Sequence, residues 1–281
     1  MKKYSIKSAL LYGQNFLEEK GIVSYQTDSR VLLMEVCKMD RIQLCIMPEK
    51  LLADDEFLKY NTVLEERGRN KPISYILNRC EFMSLDFYVN EEVLIPRPDT
   101  EILVERVIEK IAAESYQSLL DIGTGSGCIP ISIGHYSSLK QISAVDISPE
   151  ALAIAKKNAD LNNIAIDFIL GNLFDNVQKK YDVIVSNPPY IQTTVIETLE
   201  SNVKDFEPLL ALDGGADGMK FYKEIATKAR HYLNPNGMLF FEIGYDQAKS
   251  VSSLLAENRF CCINVLKDLA TLDRVVYGRI E

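Results

Sequence analysis

The chain has 281 residues, 47% of them hydrophobic, with 31 Lys or Arg against 40 Asp or Glu and a formal net charge of −9. That length accommodates an α/β domain of about 200 residues and a smaller companion. No apolar run approaches the ~20 residues of a membrane helix, and Gly13, Gln14 and Asn15 break the stretch where a signal peptide would stay apolar, so a soluble, intracellular, cytoplasmic protein is expected.

From about residue 5 to 69 apolar residues recur at spacings of three and four, as in Ile6, Ala9 and Leu10, in Leu32, Leu33 and Val36, and in Phe57, Tyr60 and Leu64. This periodicity predicts a small helical bundle. Residues 82–95 alternate instead, with Asn90 at the expected turn, which predicts a short hairpin. The division that follows is a helical domain over 1–75, a linker hairpin over 76–98 and a larger domain over 99–281.

Beyond residue 100 strands alternate with helices. The apolar runs fall at 118–122, 142–147, 166–170, 181–185, 238–243, 263–266 and 274–280, and a helix over 149–161 starts with Ser148 as its cap and Pro149 in the first turn. The expected class is α/β, a doubly wound, mainly parallel sheet with its ligand crevice at the carboxyl ends of the strands.

The first strand runs into Asp121, Ile122, Gly123, Thr124, Gly125, Ser126 and Gly127 before a helix opens at Ile129. Glycines there let a ligand approach the backbone. The dinucleotide fingerprint would place Gly or Ala at position 128, where this chain has Cys128. Asp146 ends the second strand about 20 residues on, suited to accept ribose hydroxyls, although it would equally cap the following helix. Asn172 follows the third strand and offers an amide oxygen as an acceptor. The G-x-G-x-G spacing after Asp121 resembles the cofactor loop of class I S-adenosylmethionine-dependent methyltransferases. That resemblance implies a Rossmann-like seven-stranded sheet, a loop from Gly123 to Gly127 packed on the methionine part of S-adenosyl-L-methionine, Asp121 holding its ammonium group, and Ile147 and Leu173 beside Asp146 and Asn172 at the nucleoside.

The fourth strand ends in Asn187, Pro188, Pro189 and Tyr190. Neither proline has an N–H, so the ladder stops and their carbonyls become available acceptors. Asn187 adds an amide oxygen, and Tyr190 an aromatic face on which a planar amide or base can stack. Acceptors that grip the N–H bonds of a delocalised nitrogen stabilise the positive charge it gains on attacking a methyl group, which is electrostatic preorganisation without a strong base. The bland reading is a plain Asn-Pro turn. The tetrapeptide resembles the (N/D)PP(Y/F) motif of amino methyltransferases acting on adenine, guanine or glutamine, which implies catalytic and substrate-contacting roles for all four residues.

Residues 94–101, Leu-Ile-Pro-Arg-Pro-Asp-Thr-Glu, narrow the resemblance to the HemK/PrmC family of protein-(glutamine) methyltransferases, as do Phe206-Glu207-Pro208, the stretch from Ala211 to Gly218, and Asp273-Arg274. The family implies a glutamine in the Gly-Gly-Gln motif of class 1 peptide chain release factors as substrate, and pocket roles for Arg97 and Glu101, which read locally as an i, i+4 helix pair. Asn78 and Asn172 depart from its usual Gly and Asp. The alternative is an amino methyltransferase acting on adenine or guanine in nucleic acid; a non-catalytic nucleotide-binding protein is a third reading. Residues 1–80 carry 13 Lys or Arg against 11 Asp or Glu, leaving 18 against 29 in residues 81–281, a balance that disfavours an extended grip on nucleic acid. The six cysteines form no C-x-x-C pair and the only histidines are His135 and His231, so no metal site is expected.

Overall fold

The computed structural model describes residues 3–281, which divide into two compact units. The first comprises residues 3–78 together with Glu200–Phe206, and the second Arg79–Leu199 with Glu207–Glu281.

Helices α1 (Ile6–Glu19), α2 (Tyr25–Cys37), α3 (Arg41–Ile46), α4 (Asp54–Gly68) and α5 (Ile73–Leu77) build the first unit. Ser5 and Asp40 cap α1 and α3 through reciprocal bonds with Ser8 and Gln43. Leu17, Leu32, Leu33, Tyr60 and Leu64 fill the core, and the Tyr60 hydroxyl reaches the Ser29 carbonyl at 3.0 Å. Asn78 ends α5 at φ 51°, a left-handed position that Asn tolerates better than most residues, which accounts for Asn where Gly is usual. A short later helix, α10 (Ser201–Lys204), belongs to this unit, tied by a hydrogen bond from the Asn70 amide to Ser201. No local pattern announces that excursion.

The second unit opens with strands β1 (Cys80–Phe82) and β2 (Leu85–Phe87). Their turn lies at Met83 and Ser84, with φ of 50° and 57°, and not at Asn90 as the alternation suggested. Met-Ser lacks the Asn-Gly signature of such turns. Tertiary bonds hold it instead, from Met83 N–H to the Glu101 carboxylate at 2.7 Å and from the Tyr136 hydroxyl to the Met83 carbonyl at 2.7 Å. Asn90 forms its own turn, accepting from the Glu92 N–H at 3.0 Å.

There follow α6 (Thr100–Glu114), β3 (Ser118–Ile122), α7 (Cys128–Tyr136), β4 (Gln141–Asp146), α8 (Pro149–Asn162), β5 (Asp167–Leu170), β6 (Tyr181–Ser186), the short α9 (Thr193–Ile196), α11 (Lys220–Tyr232), β7 (Leu233–Glu242), α12 (Ala248–Glu257), β8 (Cys261–Lys267) and β9 (Asp273–Arg279). The sheet order is β5-β4-β3-β6-β7-β9-β8, parallel except for β9. Period-two alternation sorts the central strands: Leu119, Val183, Val185 and Phe240 enter the layer under α6 and α7, while Leu120, Ile184, Leu239 and Phe241 enter the layer under α11 and α12. The chain leaves β3 toward β4 on one side and resumes at β6 on the other, so a crevice opens at the carboxyl ends of β3 and β6.

At the opposite edge of the sheet the Asp182 carboxylate joins three strands. It accepts from the N–H groups of Gln117 and Ser118 at 2.8 and 3.0 Å, from the Ser118 hydroxyl at 3.0 Å and from the Asn234 amide at 2.7 Å. Burial alone would raise its pKa, but these donors outweigh it and the net shift is downward. A folded pKa below the unfolded one stabilises the fold fully above the ordinary aspartate range and is lost as pH falls through about 4 and below. Asp182→Ala should therefore cost about 1–3 kcal/mol in urea unfolding at neutral pH, and the difference from wild type should shrink on acidification below about pH 4.

Candidate active site

A cavity of about 520 Å³ lies at the carboxyl edge of the sheet, walled by the loop after β3, the ends of β4 and β6, and segments around Val93 and Leu209. Gly123, Thr124, Gly125, Ser126, Asp146, Ile147, Asn172, Leu173, Asn187, Pro188, Pro189 and Arg97 all line it. Asp121, Gly127, Tyr190 and Glu101 do not.

The glycine loop is tied down from both sides. Gly123 and Thr124 donate backbone N–H bonds to the Val145 carbonyl at 2.9 and 3.1 Å, and Gly125 donates to Asp146 Oδ2 at 2.8 Å. Asn158 on α8, which no motif singled out, donates to the Ser126 carbonyl at 2.8 Å and pairs with the backbone of Tyr88. Gly123 and Gly125 stand at φ 74° and 54°, and a Cβ at either would meet nothing within 4 Å. Their lack of a side chain thus serves the backbone conformation and leaves the loop open to a ligand rather than to a packed neighbour.

Asp146 Oδ1 accepts from the Ser148 N–H at 2.9 Å. The carboxylate has about four lone-pair directions, so two bonds to the backbone leave acceptor capacity facing the cavity. Ser148 itself caps α8. Asn172 is exposed at the cavity, and Ile147 is 49% exposed there, an apolar side chain in contact with solvent.

Asp121 is fully enclosed beneath the loop, and neither of its carboxylate oxygens has a hydrogen-bond partner. Burial pushes its pKa up to about 7; the Thr124 hydroxyl lowers it without completing a bond, and Asp146 raises it. A buried, donor-poor carboxylate of this kind favours positive charge nearby. Cys128 packs under the same loop, its thiol pushed up to about 12 by burial, and so behaves as an apolar residue.

At the end of β6 the ladder stops at Ser186, whose hydroxyl donates to the Ile122 carbonyl at 2.7 Å. Among the described residues neither the Pro188 nor the Pro189 carbonyl accepts a hydrogen bond. The Tyr190 ring packs against the core under α11, and its carbonyl accepts from Gln247 Nε2 at 3.2 Å. The side chain is half-buried and stands outside the lining of the cavity. Arg97 pairs with the buried Glu207, while Glu101 is engaged by the Met83 N–H, so the two are not partners. Burial raises the Glu207 pKa and Arg97 lowers it in opposition. Leu209 and Leu210, 60% and 55% exposed, and Phe221 add an apolar rim that sequence reasoning did not select.

Sheet order and crevice are those of the class I methyltransferase fold. The catalytic domain of hMettl16 bound to MAT2A 3'UTR hairpin 6 superposes with a TM-score of 0.59 over 83% of this chain and 85% of that one at 16% identity, a likeness of fold. The methyltransferase small domain family matches residues 98–205, and the PrmC N-terminal domain family matches residues 8–77. The release factor glutamine methyltransferase of Clostridium acetobutylicum is 41% identical over 276 residues, covering 96% of this chain and 97% of that protein. That of Geobacter sulfurreducens is 37% identical over 278 residues, covering 99% and 97%. The chain belongs to the release factor glutamine methyltransferase family.

Gly214 fixes the back of the tetrapeptide: a Cβ there would stand 2.7 Å from the Tyr190 Cα and 2.8 Å from the Pro189 oxygen. Both are backbone atoms that cannot swing aside. Gly214→Ala should displace the Pro189–Tyr190 peptide and lower stability by about 1–3 kcal/mol in urea unfolding, the usual scale of overpacking.

Proposed function

We propose that this chain transfers a methyl group from S-adenosylmethionine to the side-chain amide nitrogen of the glutamine in the Gly-Gly-Gln motif of class 1 release factors. The observation that carries this reading is the Asn187-Pro188-Pro189 segment, which stops the central strand at the cavity wall beside the glycine loop, with both proline carbonyls unbonded. Near full-length similarity to curated release factor glutamine methyltransferases supports the choice of substrate.

The residues present fit the cofactor. The open backbone at Gly123 and Gly125 suits the methionine part, the orphaned Asp121 carboxylate favours the cationic end, Asp146 retains acceptors for ribose hydroxyls, and Ile147, Leu173 and Asn172 suit the nucleoside. When bound, S-adenosylmethionine supplies an electrophilic methyl group on a positively charged sulfur.

The protein's task is to make a poor nucleophile attack. An amide nitrogen shares its lone pair with the carbonyl; Asn187 Oδ1 and the Pro188 carbonyl accept its two N–H bonds, orient it, and stabilise the charge it gains. These acceptors are held by the sheet, so little reorganisation is needed as charge develops. The cationic product sheds its proton without a dedicated strong base. Arg97, braced by Glu207, and the apolar rim of Leu209 and Leu210 receive the substrate backbone. Residues 1–75 act as the docking domain for the release factor, with Ile42, Ile46 and Leu58 offering exposed apolar surface. An enzyme that modifies release factors acts where translation terminates, which supports a cytoplasmic location; among the described residues no helix is long and apolar enough to cross a membrane.

The deciding measurement is mass spectrometry of a class 1 release factor after incubation with enzyme and cofactor. One methyl group on the Gly-Gly-Gln glutamine is expected, and an unmodified glutamine would refute the substrate. Asn187→Ala should lower kcat by about 100-fold or more while calorimetric cofactor affinity stays within a few-fold, since the lost acceptor acts on the transition state. Asp146→Ala should weaken cofactor binding by about 1.5–3 kcal/mol, the scale of hydrogen bonds to a charged group; unchanged affinity would move the ribose site elsewhere.

A further inference from the structure

Strands β6 and β7 run parallel in a register that pairs Val185 with Phe240 and Ser186 with Phe241. Val185 and Phe240 both enter the apolar layer under α6 and α7. Asn187 and Glu242 lie two residues further along their respective chains, so alternation brings both side chains out on that same face at the carboxyl edge. Glu242 is 3% exposed, its main-chain oxygen accepts the Tyr222 hydroxyl at 2.9 Å, and its Oε2 is sealed from solvent with no hydrogen-bond partner. The Asn187 amide and the Thr100 hydroxyl stand beside its carboxyl. Glu242 does not line the cavity, whereas Asn187 does. A buried carboxyl is costly unless it is hydrogen-bonded or paired, so the amide beside it is a partner it needs.

We infer that Glu242 is a positioning residue that sets the orientation of the Asn187 carboxamide, accepting a hydrogen bond from Nδ2 and so turning Oδ1 toward the cavity. This rests on the proposed role of Asn187 as acceptor for the target N–H. An ionised carboxylate has only acceptors, and a carboxamide has donors at one end and an acceptor at the other, so only the amino end can face Glu242. Protonation reverses the choice. A neutral Glu242 donates its O–H to Oδ1, the amide turns over, and Nδ2 then meets the target N–H as donor against donor.

Burial pushes the Glu242 carboxyl up to about 7, with Asp99 adding to the rise and Thr100, Arg274 and Asn187 opposing it. The charged and titratable groups that face it are Asp99 before α6, Arg274 on β9, Tyr190 after β6, Tyr222 on α11 and Cys128 at the start of α7. Both tyrosines and the thiol are raised by burial and stay neutral around pH 7, and Arg274 stays charged. Asp121, also raised to about 7, acts on Cys128 as Glu242 does, and a Glu242 variant separates the two titrations.

The test is nuclear magnetic resonance of the full-length chain labelled with 15N-asparagine, the Asn187 Nδ2 signals being assigned by their loss in Asn187→Ser. Wild type should show a step in those signals centred near pH 7, and Glu242→Gln should abolish it. Wild type without a step overturns the inference, and so does a step that survives in Glu242→Gln. If Glu242→Gln does not fold, Glu242→Asp should keep a step with a displaced midpoint, and an unmoved midpoint overturns the inference. In methyl transfer Glu242→Gln should lower kcat by about 10-fold or more, leave KM for the release factor within about threefold and lose the acidic limb of the pH profile, a pattern that marks transition-state orientation. A step that depends on Glu242 in a protein that leaves the glutamine unmethylated would sustain the orientation and refute the substrate reading instead.

Discussion

Two consecutive residues without an N–H, at the end of the most central pairing in the sheet, are the constraint on which the site depends. Between β3 and β7 the residues of β6 from Val183 to Ser186 have ladder partners on both sides; Pro188 and Pro189 cannot supply the donors that would continue it. The sheet therefore ends in acceptors with nothing to accept from. Gly214 then approaches this peptide too closely for any side chain, so the acceptors are held by backbone against backbone. A loop would carry the same atoms with far less definition.

Around that edge the protein maintains three buried carboxyls, Asp121, Glu207 and Glu242, each raised above its ordinary pKa by burial. None is an efficient way to stabilise a fold, since removing a carboxylate from water costs more than most single interactions return. Their placement is systematic. Asp121 lies under the glycine loop, Glu207 behind Arg97 and Glu242 behind Asn187, so each backs a group that faces the cavity. Strain of this kind is expected where function competes with stability.

The polar scaffold holding the loop follows the same logic. Asp146 spends two acceptor positions on Gly125 and Ser148, and Asn158 joins the Ser126 carbonyl to Tyr88. The two readings of Asp146, ligand group or part of the helix start, are compatible because one carboxylate has capacity for both.

Strands 118–122 and 181–185, the helix from Pro149 and the sheet class were legible in the sequence, because alternation, caps and proline punctuation act within a few residues. So were the glycine loop and the tetrapeptide as chemical groups. The hairpin turn was not, since Met83 and Ser84 adopt left-handed φ only because Glu101 and Tyr136 hold them from another element. A glutamate inside the apolar run before Ile243 was a signal left unused. Its relation to Asn187, the partnership of Arg97 with Glu207 at a separation of 110 residues, and the return of Glu200–Phe206 to the helical unit were decided by the tertiary structure alone. Local pattern states which face a side chain takes; strand register and chain return state what it meets there, and these are set by packing across the whole unit.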